Sequence, residues 1–187
     1  MKIATGRLLI LALLLVGCGQ YQYASPGPGT LEVRLRTESQ NIPYDSLNTF
    51  LVQLTSLDAV RSDSARLEVY QDIAAIRRSP SDFNAFDSTA YDSSMVLGSA
   101  DAPPGNYVGL DLIVQPVGEV VLDGYRDISV VTAPSFQSLV ELRDPFKIDE
   151  SKSTIITVTF DVDSSLTKGA ESFHYLSDFY ISSIMQR

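Results

Sequence analysis

Residues 30–36 alternate without a break: Leu31, Val33 and Leu35 are apolar, and Glu32, Arg34 and Arg36 between them are charged. A strand turns successive side chains to opposite faces, so this spacing predicts a strand with one dry face and one wet face. The same period recurs along the chain. "TFLVQLTSLDAV" alternates at Phe50, Val52 and Leu54, and "ARLEVYQDI" at Leu67, Val69, Gln71 and Ile73. "NYVGLDLIV" turns Val108, Leu110, Leu112 and Val114 one way and Asp111 the other. "SFQSLVEL", "STIITVTFDV" and "FHYLSDFYISSI" repeat the pattern around Val140, Val158 and Phe179. "EVVLDGYRDISVV" places Asp123-Gly124 between apolar runs, a type I′ hairpin signal. About nine strands at roughly ten-residue intervals predict an all-β chain folded as an antiparallel β-sandwich.

Two stretches break the pattern. Residues 72–97, rich in Ala, Arg, Ser and Asp, predict one short helix and an irregular loop. "TESQNIPYDSLN" reads as a long connection between the first two strands. The apolar fraction of 44% is enough for a packed core. The single cysteine, Cys18, excludes internal disulfides and cysteine-rich zinc sites. With 23 acids against 14 bases and no basic stripe, the chain lacks the footprint of a nucleic-acid partner.

The amino terminus has a separate logic. Lys2 and Arg7 precede the apolar run Leu8–Val16, and Gly17 supplies a small residue before a cut. This is the layout of a signal peptide. Nine apolar residues make about 14 Å of helix, about half of a ~30 Å hydrocarbon core, so a permanent span is not expected. Leu15-Val16-Gly17-Cys18 resembles the lipobox of bacterial lipoproteins at all four positions. The resemblance implies a diacylglyceryl group on the Cys18 sulfur, cleavage before Cys18 and acylation of the new amine. Several acyl chains anchor a protein stably where one does so marginally. The domain plan is a signal peptide over 1–17, a lipidated tether over 18–29 rich in Gly and Pro, and a sandwich domain over 30–187. Gly19 and Gln20 stand where an Asp would resemble an inner-membrane retention signal, which favours the outer membrane in a Gram-negative host.

Three further stretches, in this order, resemble a bacterial lipoprotein module, domain of unknown function 4382 (DUF4382). They are "GTLEVRL", "APPGNYVGLDLIV" and "LVELRDPFKIDESKSTIITVTFDVDSSL". The likeness covers most of residues 29–187, and order and spacing carry it more than any one motif. Glu38-Ser39-Gln40 and Leu176-Ser177-Asp178 depart from the family's usual Asp-Ala-Pro and Leu-Lys-Pro. The resemblance implies an immunoglobulin-like or prealbumin-like β-sandwich and supplies no reaction. The fold class supplies none either.

Several residues invite chemistry. Pro103-Pro104-Gly105-Asn106-Tyr107 predicts a tight turn with Tyr107 bonded back across it, in the manner of a tyrosine corner. Asp161, Asp163 and Ser165 occupy positions 1, 3 and 5 of an oxygen-ligand loop, the chain's one candidate metal site. Leu166 and Ser172 stand where an EF-hand needs Gly and Glu, so the plainer expectation is two aspartates on the wet face of a strand followed by a turn. His174 has no Gly-x-Ser-x-Gly partner motif, and Asp144, Asp149 and Glu150 show no dyad spacing. Tyr44 and Tyr91 lie in the irregular segments and are the candidate ligand-loop residues, because exposed Tyr stacks on sugars and anchors interfaces.

The expected function is a membrane-anchored envelope lipoprotein without catalytic residues or cofactor. Its expected partners are the bilayer, through acylated Cys18, and an envelope protein or glycan. A structural envelope component and a carboxylate-dependent hydrolase are the alternatives.

Overall fold

The structure is a computed structural model and describes residues 27–38, 47–71, 81–84, 94–122, 126–132, 138–168 and 173–187. These hold thirteen strands and a single helical turn. The strands are β1 (Gly29–Glu38), β2 (Leu47–Arg61), β3 (Arg66–Gln71), β4 (Ser81–Asn84), β5 (Met95–Ala102), β6 (Gly105–Leu122) and β7 (Arg126–Thr132). They continue as β8 (Ser138–Leu142), β9 (Phe146–Ile148), β10 (Ser153–Asp161), β11 (Leu166–Lys168), β12 (Phe173–Tyr175) and β13 (Phe179–Gln186). The helical turn α1 (Val162–Ser165) joins β10 to β11.

Two sheets form a β-sandwich. The small sheet has the order β13-β10-β1-β5, and the large one runs β11-β12-β7-β6-β2-β3, with β4 on β2 and β8 and β9 on β6. Most pairings are antiparallel, and β1–β10 and β12–β7 run parallel. The alternation of the first strand sets the interior: Leu31, Val33, Leu35 and Thr37 are buried and the charged residues between them face out. The register places Thr154, Ile156, Val158 and Phe160 of β10 beside that inner row. From the other sheet come Leu57, Ala59, Leu110, Leu112 and Val114, which join the same apolar cluster.

β6 is a single 18-residue strand where the sequence reads as two. It bends through register shifts against β2, and these let β2 bury Val52 and Leu54 and then Leu57 and Ala59, although the two pairs fall on opposite parity. Gly109 makes the approach of β8 to β6 fit: a Cβ there would stand 1.8 Å from the Leu142 carbonyl oxygen, and its φ is +155°.

Two described parts of the segment 72–97 are strands where a helix and an irregular loop are expected: β4 lies inside it and β5 begins inside it. The short helix expected around "DIAAIRRS" falls on residues outside the described ones. β5 is weakly patterned, but it pairs with β1 over seven positions and seals Ala102 completely. Tertiary pairing overrides its local composition. Residues 72–80 and 85–93 lie outside the described residues.

Candidate functional site

The proposed oxygen-ligand loop turns out to be a helix cap. Asp161 ends β10, and its carboxylate accepts from the Ser164 backbone N at 3.0 Å and from the Ser164 hydroxyl at 2.7 Å. That satisfies donors a helix start leaves open. The buried Ser165 Oγ faces a different partner and accepts from the Asp178 backbone N at 2.9 Å. Asp163 sits in α1, so it does not share a strand face with Asp161, and that expectation is corrected. Among the described residues no group of three or more His, Cys, Asp and Glu side chains is arranged to hold a metal ion.

The Pro-Gly-Tyr entry of β6 folds as its sequence implies. Tyr107 is buried, and its hydroxyl donates to the Pro103 carbonyl at 2.9 Å. Its ring stacks on Phe146 of β9 at 5.1 Å between centroids. Burial pushes the Tyr107 phenol up, with Arg61 acting in the opposite sense. Tyr175, on β12, is also held by burial, its phenol pushed up to about 12. His174 on the same strand is exposed, opposite Thr167 and Val131. Asp149 is drawn below the usual carboxylate range by Lys147 at 2.7 Å, with Lys152 beside it. Glu150 accepts from the Gly27 backbone N at 2.8 Å.

The most charged constellation was not legible in the sequence. Register places Glu68 opposite Asp58, Asp58 opposite Asp111 and Asp111 opposite Glu141, so four carboxylates stand in one row across β3, β2, β6 and β8. Like charges directly opposite one another destabilise a sheet. Two arginines offset them. Asp111 is only 2% exposed, with Arg66 Nη2 2.7 Å from Oδ2 and Arg143 Nη1 donating to Oδ1 at 2.6 Å. Arg143 also bonds Glu141, and Arg66 lies 3.5 Å from Asp58. The hydrogen bond to Asp111 raises the Arg143 guanidinium further above its ordinary value. The row runs across the face of a sheet, and guanidiniums engage three of its four acids, Asp58, Asp111 and Glu141.

A second surface has the opposite character. β13 is an edge of the small sheet and carries no charged residue. Tyr180, Ile184 and Met185 are exposed on it. A hollow of about 240 Å³ runs beside it, lined by Asp144, Pro145 and residues 181–184. Tyr180 donates to Glu38 at the strand's start, which raises the tyrosine's own pKa.

Cys18, Tyr44 and Tyr91 lie outside the described residues. Among the described residues no helix is long and apolar enough to cross a membrane. The family model of domain of unknown function DUF4382 matches residues 28–176, from just before β1 to just after β12. No curated protein and no solved structure matches the chain.

Proposed function

The chain belongs to the DUF4382 family, and from that premise we propose that it is a lipid-anchored, non-catalytic interaction module of a bacterial cell envelope. The observation that carries the anchoring is Leu15-Val16-Gly17-Cys18 at the end of a nine-residue apolar run behind Lys2 and Arg7. The thiolate of Cys18 is the chain's only nucleophile for a thioether. The residues between Cys18 and Gly27, where the chain bonds the sandwich through Glu150, then tether it close to the bilayer without fixing its orientation. What supports interaction over catalysis is that Asp161 caps α1, Tyr107 closes a turn, and the buried Asp111 is held by two arginines.

The test of the anchor is fractionation of Cys18→Ala. The variant leaves the membrane fraction or accumulates as a longer precursor; normal processing together with normal membrane retention refutes lipidation. Affinity capture from crosslinked envelopes, with Tyr44→Ala and Tyr91→Ala as loop controls, tests the interaction role. Loss of an envelope protein or glycan in the loop variants is the expected result. Equal capture by wild type and variants removes those loops from the account.

A further inference from the structure

We propose that the open edge of β13 is a self-association surface, on which a second copy of this chain adds its own β13 antiparallel. The register sets Asp178 opposite Arg187, Tyr180 opposite Met185, and Ile181 opposite Ile184, each pair occurring twice about a two-fold axis. The two small sheets become one continuous sheet.

The two edges of the small sheet are unlike. At β5 a Cβ on Gly98 would stand 2.7 Å from the Val69 carbonyl oxygen, so β3 crowds that side. At β13 one side pairs with β10, and no strand among the described residues pairs with the other. Edge strands are commonly blunted by charge, proline or a bulge. The sequence "FYISSIMQ" has neither charge nor proline, and its bulge at Ser182 falls beside the two-fold axis of this register.

The charge lies at the ends. Asp178 precedes the strand and Arg187 follows it, and neither has an ion pair among the described residues. An antiparallel copy sets acid against base at both ends, whereas a parallel copy sets like against like.

The bulge makes this register work. In a regular strand residues 180 and 185 point to opposite faces. The shift between Thr157 and Val158 leaves Ser182 outside the register with β10. Tyr180 then pairs with Thr159 and Met185 with Ile155, both on the outer face, while Ile181 and Ile184 pair with Val158 and Ile156 on the inner face. Residues opposed across an antiparallel ladder share a face. The same register therefore matches charge with charge, apolar with apolar, and face with face. It covers Tyr180, Ile184 and Met185, which are 39%, 42% and 44% exposed.

Sedimentation equilibrium of the full chain in density-matched detergent tests it. Wild type gives a dimer. Asp178→Arg and Arg187→Asp each weaken it about tenfold, since both ends then set like charges together. The double variant, and an equimolar mixture of the two single variants, recover the dimer. A wild type that stays monomeric at every concentration overturns the proposal, as do single reversals that associate like wild type or a double reversal that stays monomeric. A second route changes no charge: oxidation of a chain carrying Tyr180→Cys with Met185→Cys links two copies in isolated membranes, where wild type is the control. A product that stays at monomer mass, or that links to an unrelated protein, overturns it.

Discussion

The Asp111 row and the β13 edge are both surfaces of sheets, and they treat water in opposite ways. On the large sheet four acids and two arginines are stitched across four strands, and the central carboxylate is nearly dry. On the small sheet an uncharged edge strand exposes apolar side chains and an unpaired backbone side among the described residues. The difference separates two uses of surface. Charge in the first holds strands in register, and its removal is felt as lost stability. The second is the surface on which we propose that a second copy of the chain adds.

Substitutions at the stitched side should lower stability and leave association alone. Gly109→Ala is the most severe, because its Cβ meets the Leu142 carbonyl and its φ is one that side chains avoid. We expect a loss of about 4 kcal/mol in urea unfolding. Asp111→Ala leaves Arg66 and Arg143 facing one another, and a loss of about 2 kcal/mol is expected. The arginines are half exposed, which keeps this below the cost of orphaning a fully buried charge. On the small sheet, away from the open edge, Asp161→Ala removes the α1 cap and should cost about 1 kcal/mol. At the edge, Ile184→Lys should change the unfolding free energy by less than about 0.5 kcal/mol while weakening self-association. An Ile184→Lys chain that unfolds as early as Asp111→Ala would erase the contrast.

The smallest expected effect is on pH. The Tyr175 phenol is pushed up to about 12 by burial, above the 10.0 of a free tyrosine. The folded state therefore keeps its proton where the unfolded state loses it. The stability this contributes is complete below about pH 10 and is lost as pH rises toward about 12. Urea midpoints across that window should fall for wild type and fall less for Tyr175→Phe.

The sequence speaks clearly where local pattern and pairing agree. β1 alternates in sequence and in burial, and the Pro-x-Gly-x-Tyr entry encodes its own turn, so both were legible. The sandwich followed from counting such strands. β5 is hidden in the sequence because "MVLGSADA" alternates weakly and becomes a strand only by pairing with β1. The sequence shows β6 as two alternating runs, "NYVGLDLIV" and "EVVLDG", while the ladder to β2 runs through the stretch between them. The Asp111 row depends on register across four strands, two of them bulged, and no spacing within the sequence encodes that. The alternation places Asp161 and Asp163 on one strand face and gives no sign that the chain turns helical at Val162. The edge status of β13 is a property of strand order, which single-strand patterns do not carry.

The contrast between stitched face and open edge is tested most directly by placing one photo-reactive side chain at a time along both surfaces, in membranes bearing the full chain. Position 180 or 185 on β13 should crosslink, and the linked peptides should join β13 of one copy to β13 of another. Position 68 or 141 in the carboxylate row should give no protein product. Crosslinks from the row with β13 silent would contradict the account.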